Sequence, residues 1–267
     1  MVKRIITAIL GLPIIIALLI FADKYIFSVV ATIVAMITLR EYFNAFKKDT
    51  KPIEWIGYIA CLLITIIHFI PDEYMKYILA LSTPTICAVL FMQVVVTNMK
   101  TTMKDAIITL FGIIYVVGFL IFLPLIFGME NGKLLIWYVF ISAWGNDMCA
   151  YFIGVNFGKH KVTPISPKKS LEGCIGGVLG AIIMAEIGTY IFNTFFTVAS
   201  FSYLYVGIVI AALSILSQFG DLAASAIKRY TNIKDSGTLF PGHGGMLDRI
   251  DSILYIAPFA YFLLRLI

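Results

Sequence analysis

Charged residues are scarce in this sequence. They form 13% of its 267 residues, about half the share of a typical soluble domain, whereas 61% of the residues are hydrophobic. This composition excludes an ordinary soluble domain and predicts an all-α polytopic integral membrane protein. The formal net charge of +5 does not indicate a nucleic-acid partner, because the basic residues lie in the connections between apolar segments.

Cysteine is also rare, and the N-terminus lacks a signal-peptide cleavage site. Cys61, Cys87, Cys149 and Cys174 show no Cys-x-x-Cys spacing and lie in or beside apolar segments. They are interpreted as buried small residues rather than as disulfides or zinc ligands. The first apolar run follows Met-Val-Lys-Arg, reaches about membrane length and has no Ala-x-Ala-like site, so we expect it to remain as a membrane span.

Apolar stretches close to the roughly 20 residues that cross a bilayer occur along the whole chain. Nine spans are predicted, at about residues 5–22, 25–45, 55–71, 74–97, 105–128, 133–154, 172–196, 202–229 and 252–267. With a cytoplasmic N-terminus, most of the 20 basic residues fall on the cytoplasmic side. The exceptions are Lys24, Lys76, Lys133 and Arg265. Since basic residues favour cytoplasmic loops, the sequence predicts a cytoplasmic N-terminus and an outside C-terminus.

The two halves of the chain differ in polar content. Residues 1–130 form apolar spans with short connections and are predicted to be a scaffold, with a role in lipid access or oligomer contacts. Glu41 and His68 are lone polar residues near span ends in this half and are interpreted as interfacial rather than catalytic. Residues 131–267, with cytoplasmic-side polar loops, are predicted to be the catalytic part. Glu186, in the middle of the seventh span, is interpreted as a packing residue, with a cavity-lining role as the alternative.

Charge, glycine and hydroxyl groups are most concentrated between residues 217 and 251. Asp221 interrupts an apolar run, where an ionisable residue marks a functional site by default. Asp248 and Asp251 are three residues apart and share one face of the helix predicted to begin there. Carboxylates on both sides of a glycine-rich turn suit Mg²⁺, whose coordination is completed by substrate phosphates. Asp221, Asp248 and Asp251 are therefore candidate metal ligands, and Asp147, late in the sixth span, is a further candidate.

Basic residues and glycines surround these carboxylates. The candidate phosphate contacts are Lys168, Lys169, Lys228, Arg229, Lys234 and Arg249. Gly244 and Gly245 offer backbone N–H groups that can approach an anion closely, and Ser225 lies one helical turn after Asp221. His243 is expected to order the loop and contact a phosphate, with general-acid catalysis as the alternative. A basic cytoplasmic loop would by itself explain Lys228 and Arg229, but it would explain neither Asp221 nor the glycines.

A second polar segment lies between the sixth and seventh spans. Ser170 is a predicted helix N-cap, with Glu172 in the first turn. Because Lys168 and Lys169 precede this helix N-terminus, the segment is a candidate anion site.

The segment from Ser225 to Asp251 resembles the signature of the phosphatidate cytidylyltransferases, also called CDP-diacylglycerol synthases. The residues that match are Ser225, Ile227, Lys228, Arg229, Lys234, Asp235, Gly237, Phe240, Pro241, His243, Gly244, Gly245, Met246, Asp248, Arg249, Ile250 and Asp251. An upstream segment with Asp147, Ala150-Tyr151 and Ser166-Pro167-Lys168-Lys169 is similar to a second, looser motif of the same family.

The resemblance implies a reaction of CTP with phosphatidic acid that gives CDP-diacylglycerol and pyrophosphate. It implies Mg²⁺ as the cofactor, compatible with a second cation, and a site that faces the cytoplasm at the inner (plasma) membrane. The attacking phosphate monoester is already an anion at neutral pH, so no Ser, Cys or His nucleophile is required. Phosphoryl-type transfer then depends on positioning and on charge stabilisation. The implied catalytic residues are Asp221, Asp248, Asp251, Lys228, Arg229 and His243.

Two other functions remain open from the residues alone. A CTP-dependent lipid or polyprenol kinase would use similar metals and cations but would release CDP. An ion or lipid transporter could use Asp147, Glu186 and Asp221 as a path, but it predicts polar residues distributed along several spans or an internal repeat. Here the polar residues concentrate at the cytoplasmic end of the C-terminal half, and no repeat is detected. The glycine-rich spans are also compatible with a homodimer in the membrane.

Overall fold

The computed structural model describes residues 2–196, 200–240 and 244–267. These residues form helices and connections, with no β-strand beyond two isolated β-bridges, Lys161 with Ser170 and Phe240 with Gly244. The α-helices are α1 (Val2–Phe21), α2 (Lys24–Phe46), α3 (Glu54–Ile66), α4 (Asp72–Val96), α5 (Met103–Gly112), α6 (Phe122–Phe127), α7 (Gly132–Phe140), α8 (Asn146–Phe157), α9 (Leu171–Phe195), α10 (Tyr203–Tyr230) and α11 (Leu247–Leu263). Each of the nine predicted apolar segments is largely helical in the described residues.

The structure confirms an all-α polytopic membrane protein. Among the described residues, five helical stretches are long and apolar enough to cross a membrane. They are Lys24–Phe46, Glu73–Val96, Met103–Phe127, Leu171–Phe195 and Tyr203–Tyr230. Two further apolar helices, Gly11–Phe21 and Glu54–Phe69, are shorter.

Two of the helical stretches contain π-helical turns. Ile113–Gly118 follows α5, and Ile141–Gly145 joins α7 to α8. A π-turn is wider than an α-turn and changes the register of the side chains that follow it, and such turns are frequent at functional sites. The second π-turn ends directly before Asn146 and Asp147, so it helps to set the direction in which these two side chains point.

The chain divides into two compact units, which are described separately. The first contains the residues up to Leu125 together with Thr231–Arg249, and the second contains Ile126–Tyr230 together with Ile250–Ile267. The sequence predicted a division near residue 130 between a scaffold part and a catalytic part. How the helices pack does not test these roles, so this division stays a prediction.

In the first unit, α2 packs closely against α3 and α5. Tyr42 and Phe43 of α2 have no exposed surface. Glycines make room for both rings: a Cβ atom added to Gly57 of α3 would lie 2.9 Å from Phe43 Cε2, and one added to Gly112 of α5 would lie 2.5 Å from Tyr42 Cε1. Because carbon atoms pack at about 3.5–4.0 Å, these helices approach only as long as the glycines remain.

In the second unit, glycines of α9 face α8. A Cβ atom added to Gly177 would lie 2.6 Å from Asn146 Oδ1, and one added to Gly180 would lie 2.6 Å from Cys149 Cβ. The small residues of this glycine-rich face therefore allow α8 and α9 to approach closely. Gly220 of α10 has the same role toward α11, because its added Cβ would lie 2.6 Å from Tyr255 Cβ.

Candidate active site

Three predicted carboxylates lie together in the second unit. Asp147 is in the first turn of α8, Asp221 is in the C-terminal third of α10, and Asp251 is in α11. The hydroxyl of Ser252 lies 3.5 Å from Asp147 Oδ2 and 3.5 Å from Asp251 Oδ1. Asp221 is close enough to repel both of the other carboxylates. We call Asp147, Asp221 and Asp251 the carboxylate cluster.

The carboxylate cluster extends from a buried to an exposed position. Asp251 is 9% exposed, and the side chain of Asp221 is 35% exposed. Asp147 is exposed. One side of the cluster is therefore accessible, whereas the other side is shielded by packed helices.

Lysine side chains balance part of this negative charge. Lys169 Nζ lies 2.8 Å from Asp221 Oδ2 and donates a hydrogen bond to the backbone oxygen of Gln218 at 3.0 Å. The side chain of Lys169 is 14% exposed. Lys228, near the end of α10, attracts Asp251. The sequence assigned both lysines to phosphates; in the structure Lys169 forms an ion pair with Asp221, and Lys228 exerts an electrostatic attraction on Asp251.

An amide network orients Asp147. Gln218 Nε2 donates to Asn146 Oδ1 at 2.9 Å and to the backbone oxygen of Cys174 at 2.9 Å. Asn146 is fully buried, and its Nδ2 donates to Asp147 Oδ1 at 3.3 Å. The network therefore connects α8, α9 and α10. Sequence reasoning missed Gln218 and Ser252, although each is close in sequence to a predicted aspartate.

The segment before α9 turns Lys168 and Lys169 in different directions. Backbone hydrogen bonds from Val162 N to the oxygen of Lys169 and from Leu171 N to the oxygen of His160 close it into a narrow loop. Lys168 is exposed, whereas Lys169 reaches Asp221.

The predicted capping of α9 is confirmed. Ser170 Oγ accepts a hydrogen bond from Gly173 N at 3.2 Å. Glu172, in the first turn, accepts from Lys159 N and lies 2.6 Å from His160 Nδ1. These contacts join the start of the basic loop to the helix that follows it.

The connection between α10 and α11, residues 231–246, is called the signature loop. It belongs to the first unit, as does Asp248 at the start of α11. Asp248 Oδ2 accepts hydrogen bonds from Ser236 N at 2.7 Å and from Gly245 N at 3.0 Å. Phe240 N donates to the oxygen of Gly244, whose φ of +82° is a conformation that favours glycine. Asp248 therefore closes the loop, and its role as a metal ligand stays a prediction.

The remaining predicted residues have different surroundings. Arg229, Lys234 and Arg249 are exposed, as expected for side chains that meet a soluble nucleotide. Ser225 is half-buried on α10, one turn after Asp221. His243 lies outside the described residues.

The interpretation of Glu41 as an interfacial residue is wrong. Glu41 is 8% exposed and accepts hydrogen bonds from Met246 N at 2.9 Å and from Leu247 N at 2.8 Å. The signal that could have identified it is a single carboxylate near the end of an apolar span, because such a group needs strong hydrogen-bond donors when it is buried.

The donor chemistry of the carboxylate cluster fits a hard cation. In the part of the chain that the structure describes, no group of three or more His, Cys, Asp or Glu side chains is arranged so that it could hold a metal ion by itself. Mg²⁺ does not require such a set, because it is often held by one or two carboxylates together with substrate phosphates. Mutual repulsion within the carboxylate cluster is the kind of interaction that a divalent cation would relieve.

Comparison with known proteins adds independent evidence. The model described as "Cytidylyltransferase family" matches residues 2–267. A protein named phosphatidate cytidylyltransferase from Bacillus subtilis is 33% identical over 273 residues, which cover 100% of this chain and 98% of the relative. A protein of the same name from Staphylococcus haemolyticus is 32% identical over 98% of each chain. Another from Thermotoga maritima is 42% identical over 58% of each chain. The chain therefore belongs to the cytidylyltransferase family.

Proposed function

We propose that this chain is a phosphatidate cytidylyltransferase, which converts CTP and phosphatidic acid into CDP-diacylglycerol and pyrophosphate. The observation that supports this most strongly is a cluster of three aspartates, one of them paired with Lys169, built by helices of a membrane protein whose full-length relatives bear this name. Such a cluster suits charge-dominated phosphoryl chemistry, in which no protein nucleophile is required.

The reaction balances without a protein nucleophile. A phosphate oxygen of phosphatidic acid attacks the α phosphorus of CTP, a new P–O bond forms, and the bond from the α phosphorus to the bridging oxygen breaks to release pyrophosphate. The attacking monoester is largely dianionic at neutral pH, so its oxygen needs no general base. The main contribution of the protein is to bring two polyanions together in the correct orientation.

The exposed cations hold the substrate phosphates in this proposal. Lys168, Arg229, Lys234 and Arg249 are available for this role because their side chains are exposed. Lys228 and Lys169 also neutralise carboxylates, and Lys169 additionally fixes the rotamer of Asp221 through its hydrogen bonds. Ser225, Gly244, Gly245 and His243 are proposed as further substrate contacts on the basis of the sequence signature.

Mg²⁺ is the proposed cofactor, with Asp221 and Asp248 as direct ligands and Asp251 as a nearby ligand or supporting residue. When bound, the ion neutralises charge on the triphosphate and on the departing pyrophosphate. Asp147 and Asp251 provide further negative charge and are compatible with a second cation. Ser252, Asn146 and Gln218 keep the buried side of the carboxylate cluster in place.

The proposed topology has nine spans, a cytoplasmic N-terminus and an outside C-terminus in the inner (plasma) membrane. This arrangement places the basic loops and the signature loop at the cytoplasmic face, where CTP is available. Residues 1–130 form the scaffold and residues 131–267 supply most of the catalytic groups. The glycine-rich helices are compatible with a homodimer.

A pyrophosphate-release assay on the detergent-purified chain tests this function. The complete reaction contains CTP, phosphatidic acid and Mg²⁺, and each component is omitted in turn. We expect pyrophosphate only in the complete reaction. Release of CDP would support the lipid kinase instead, and absence of turnover across metals and detergents would refute the transferase.

A further inference from the structure

The carboxylate of Glu41 binds the backbone where the signature loop joins α11. Oε1 accepts a hydrogen bond from Met246 N and Oε2 accepts one from Leu247 N. Glu41 belongs to α2 and is 205 residues earlier in the chain than Met246, yet both segments are in the same compact unit. One side chain from an N-terminal span thus holds the beginning of the helix that contains Asp248.

Glu41 has the chemistry of a helix cap. The first N–H groups of an α-helix have no partner within the helix, and a carboxylate at this end interacts favourably with the helix dipole. Hydrogen bonds to a charged acceptor are also stronger than neutral ones. Within the described part of the chain, Glu41 forms no ion pair with Lys, Arg or His, so backbone donors are its principal partners.

Two glycines of the signature loop allow this carboxylate to approach. A Cβ atom added to Gly237 would lie 2.7 Å from Glu41 Cδ, and one added to Gly245 would lie 2.6 Å from the same atom. Both distances are far below ordinary carbon–carbon contact, so a larger residue would displace the carboxylate or the loop. Glu41 is enclosed by the loop rather than resting on its surface.

The signature loop has a second carboxylate contact of its own. Asp248 accepts hydrogen bonds from Ser236 N and from Gly245 N. Asp248 closes the loop on itself, whereas Glu41 attaches the closed loop to α2. Lys234, which is exposed, lies two residues before Ser236 in the same loop.

We propose that Glu41 is a positioning residue for the transferase reaction. It fixes the signature loop and the first turn of α11, so that Lys234, Asp248 and Arg249 keep the geometry that the substrates require. This inference rests on the proposed function, because it assigns a catalytic consequence to a structural contact. Glu41 itself touches the loop backbone and contacts no reacting atom.

The test compares Glu41→Gln with a matched control, Asp105→Asn. Glutamine preserves size but replaces one acceptor oxygen with an NH₂ group that faces a backbone donor. Asp105 of α5 is in the same unit, is 4% exposed, and accepts hydrogen bonds from Lys51 N and Thr102 N. The control variant therefore loses the same kind of interaction away from the signature loop.

Two readouts separate positioning from general stability. The first is kcat and KM for pyrophosphate release, and the second is the rate of tryptic cleavage after the exposed Lys234 in the absence of substrates. For Glu41→Gln we expect kcat to fall about tenfold or more and cleavage to accelerate about tenfold, since loss of one charge-assisted hydrogen bond has roughly this effect. For Asp105→Asn we expect kcat and the cleavage rate to stay within about twofold of wild type, although its loss of thermal stability equals or exceeds that of Glu41→Gln.

A second variant, Gly237→Ala, tests the same contact from the loop side and retains the charge of Glu41. It should accelerate cleavage after Lys234 and lower kcat in the same direction as Glu41→Gln. A wild-type cleavage rate and a wild-type kcat in both Glu41→Gln and Gly237→Ala would overturn the proposal. Equal losses of kcat in Glu41→Gln and Asp105→Asn would overturn it as well. If the wild-type chain released no pyrophosphate while Glu41→Gln still accelerated cleavage, the transferase function and the catalytic part of this inference would both be refuted, and the anchoring of the loop would stand.

Discussion

Replacing Gly220 with alanine should disable the enzyme without unfolding it. Gly220 directly precedes Asp221 in α10, and its added Cβ atom would lie 2.6 Å from Tyr255 Cβ and 3.0 Å from the backbone oxygen of Asp251. Neither atom is at the end of a flexible side chain, so α10 and α11 must move apart. Ordinary carbon–carbon contact begins near 3.5 Å, so the required movement is about 1 Å.

A movement of this size predicts two magnitudes. Overpacking of a well-packed contact costs about 1–3 kcal/mol, which a folded membrane protein can tolerate. A misplacement of about 1 Å within catalytic machinery can cost on the order of 100-fold in rate. We therefore expect Gly220→Ala to insert and fold, with a modest loss of thermal stability and a kcat reduced about 100-fold.

The matched control for this variant is Gly188→Ala. Gly188 is in α9 of the same unit, and among the described residues its added Cβ would meet only Ile141 Cδ1, at 3.8 Å, which is ordinary contact. Both variants are assayed for pyrophosphate release and thermal unfolding in the same detergent. Near-wild-type turnover of Gly220→Ala, or equal losses in the two variants, would refute the argument that close packing of α10 and α11 sets the active geometry.

Four further substitutions test other parts of the site. Asp221→Asn and Asp248→Asn should each abolish turnover in Mg²⁺ while membrane insertion is retained, and near-normal activity of either purified variant would contradict its role as a metal ligand. Lys169→Met should lower the free energy of unfolding by on the order of 1–3 kcal/mol, because it leaves the half-buried Asp221 without its ammonium partner. This magnitude lies between the loss expected for an exposed ion pair and the loss expected for a buried one. Lys168→Met is its control in thermal unfolding, since Lys168 is exposed, and equal shifts would contradict the reasoning. Glu186→Gln should keep most of the activity, because the surroundings of Glu186 are those of a packing residue. Its Oε2 is buried with no hydrogen-bond partner among the described residues, and its Oε1 would lie 3.1 Å from a Cβ atom added to Gly207. A folded but inactive variant would refute this prediction.

The helices and the carboxylate cluster could be predicted from the sequence. Long apolar runs specify membrane helices almost by themselves, because backbone polar groups in lipid must be satisfied within the segment. Asp221 is costly in such a run, and this cost identified it before its position was known. Asp251 was predicted from its spacing to Asp248, and Asp147 from its place late in an apolar span. The glycines of α9 are a similar signal in the sequence, since small residues indicate close helix contact.

The partners of charged residues could not be predicted in the same way. Lys169 pairs with Asp221 across 52 residues, and Glu41 caps a helix that begins more than 200 residues later. Sequence spacing reports neighbours on one helix, whereas these contacts depend on how different helices pack. Lys169 was therefore assigned to a phosphate by its charge and its place before a helix N-terminus, and Glu41 was assigned to the membrane interface by its position near a span end.

The central claim, transfer of a cytidylyl group to phosphatidic acid, is tested most directly by following the phosphates of CTP. Purified protein is incubated with phosphatidic acid, Mg²⁺ and CTP labelled at either the α or the γ phosphate, and the lipid product is then extracted. We predict that the α label enters the lipid and that the γ label is released as pyrophosphate. Transfer of the γ label to the lipid, with the α label remaining in CDP, would contradict the account.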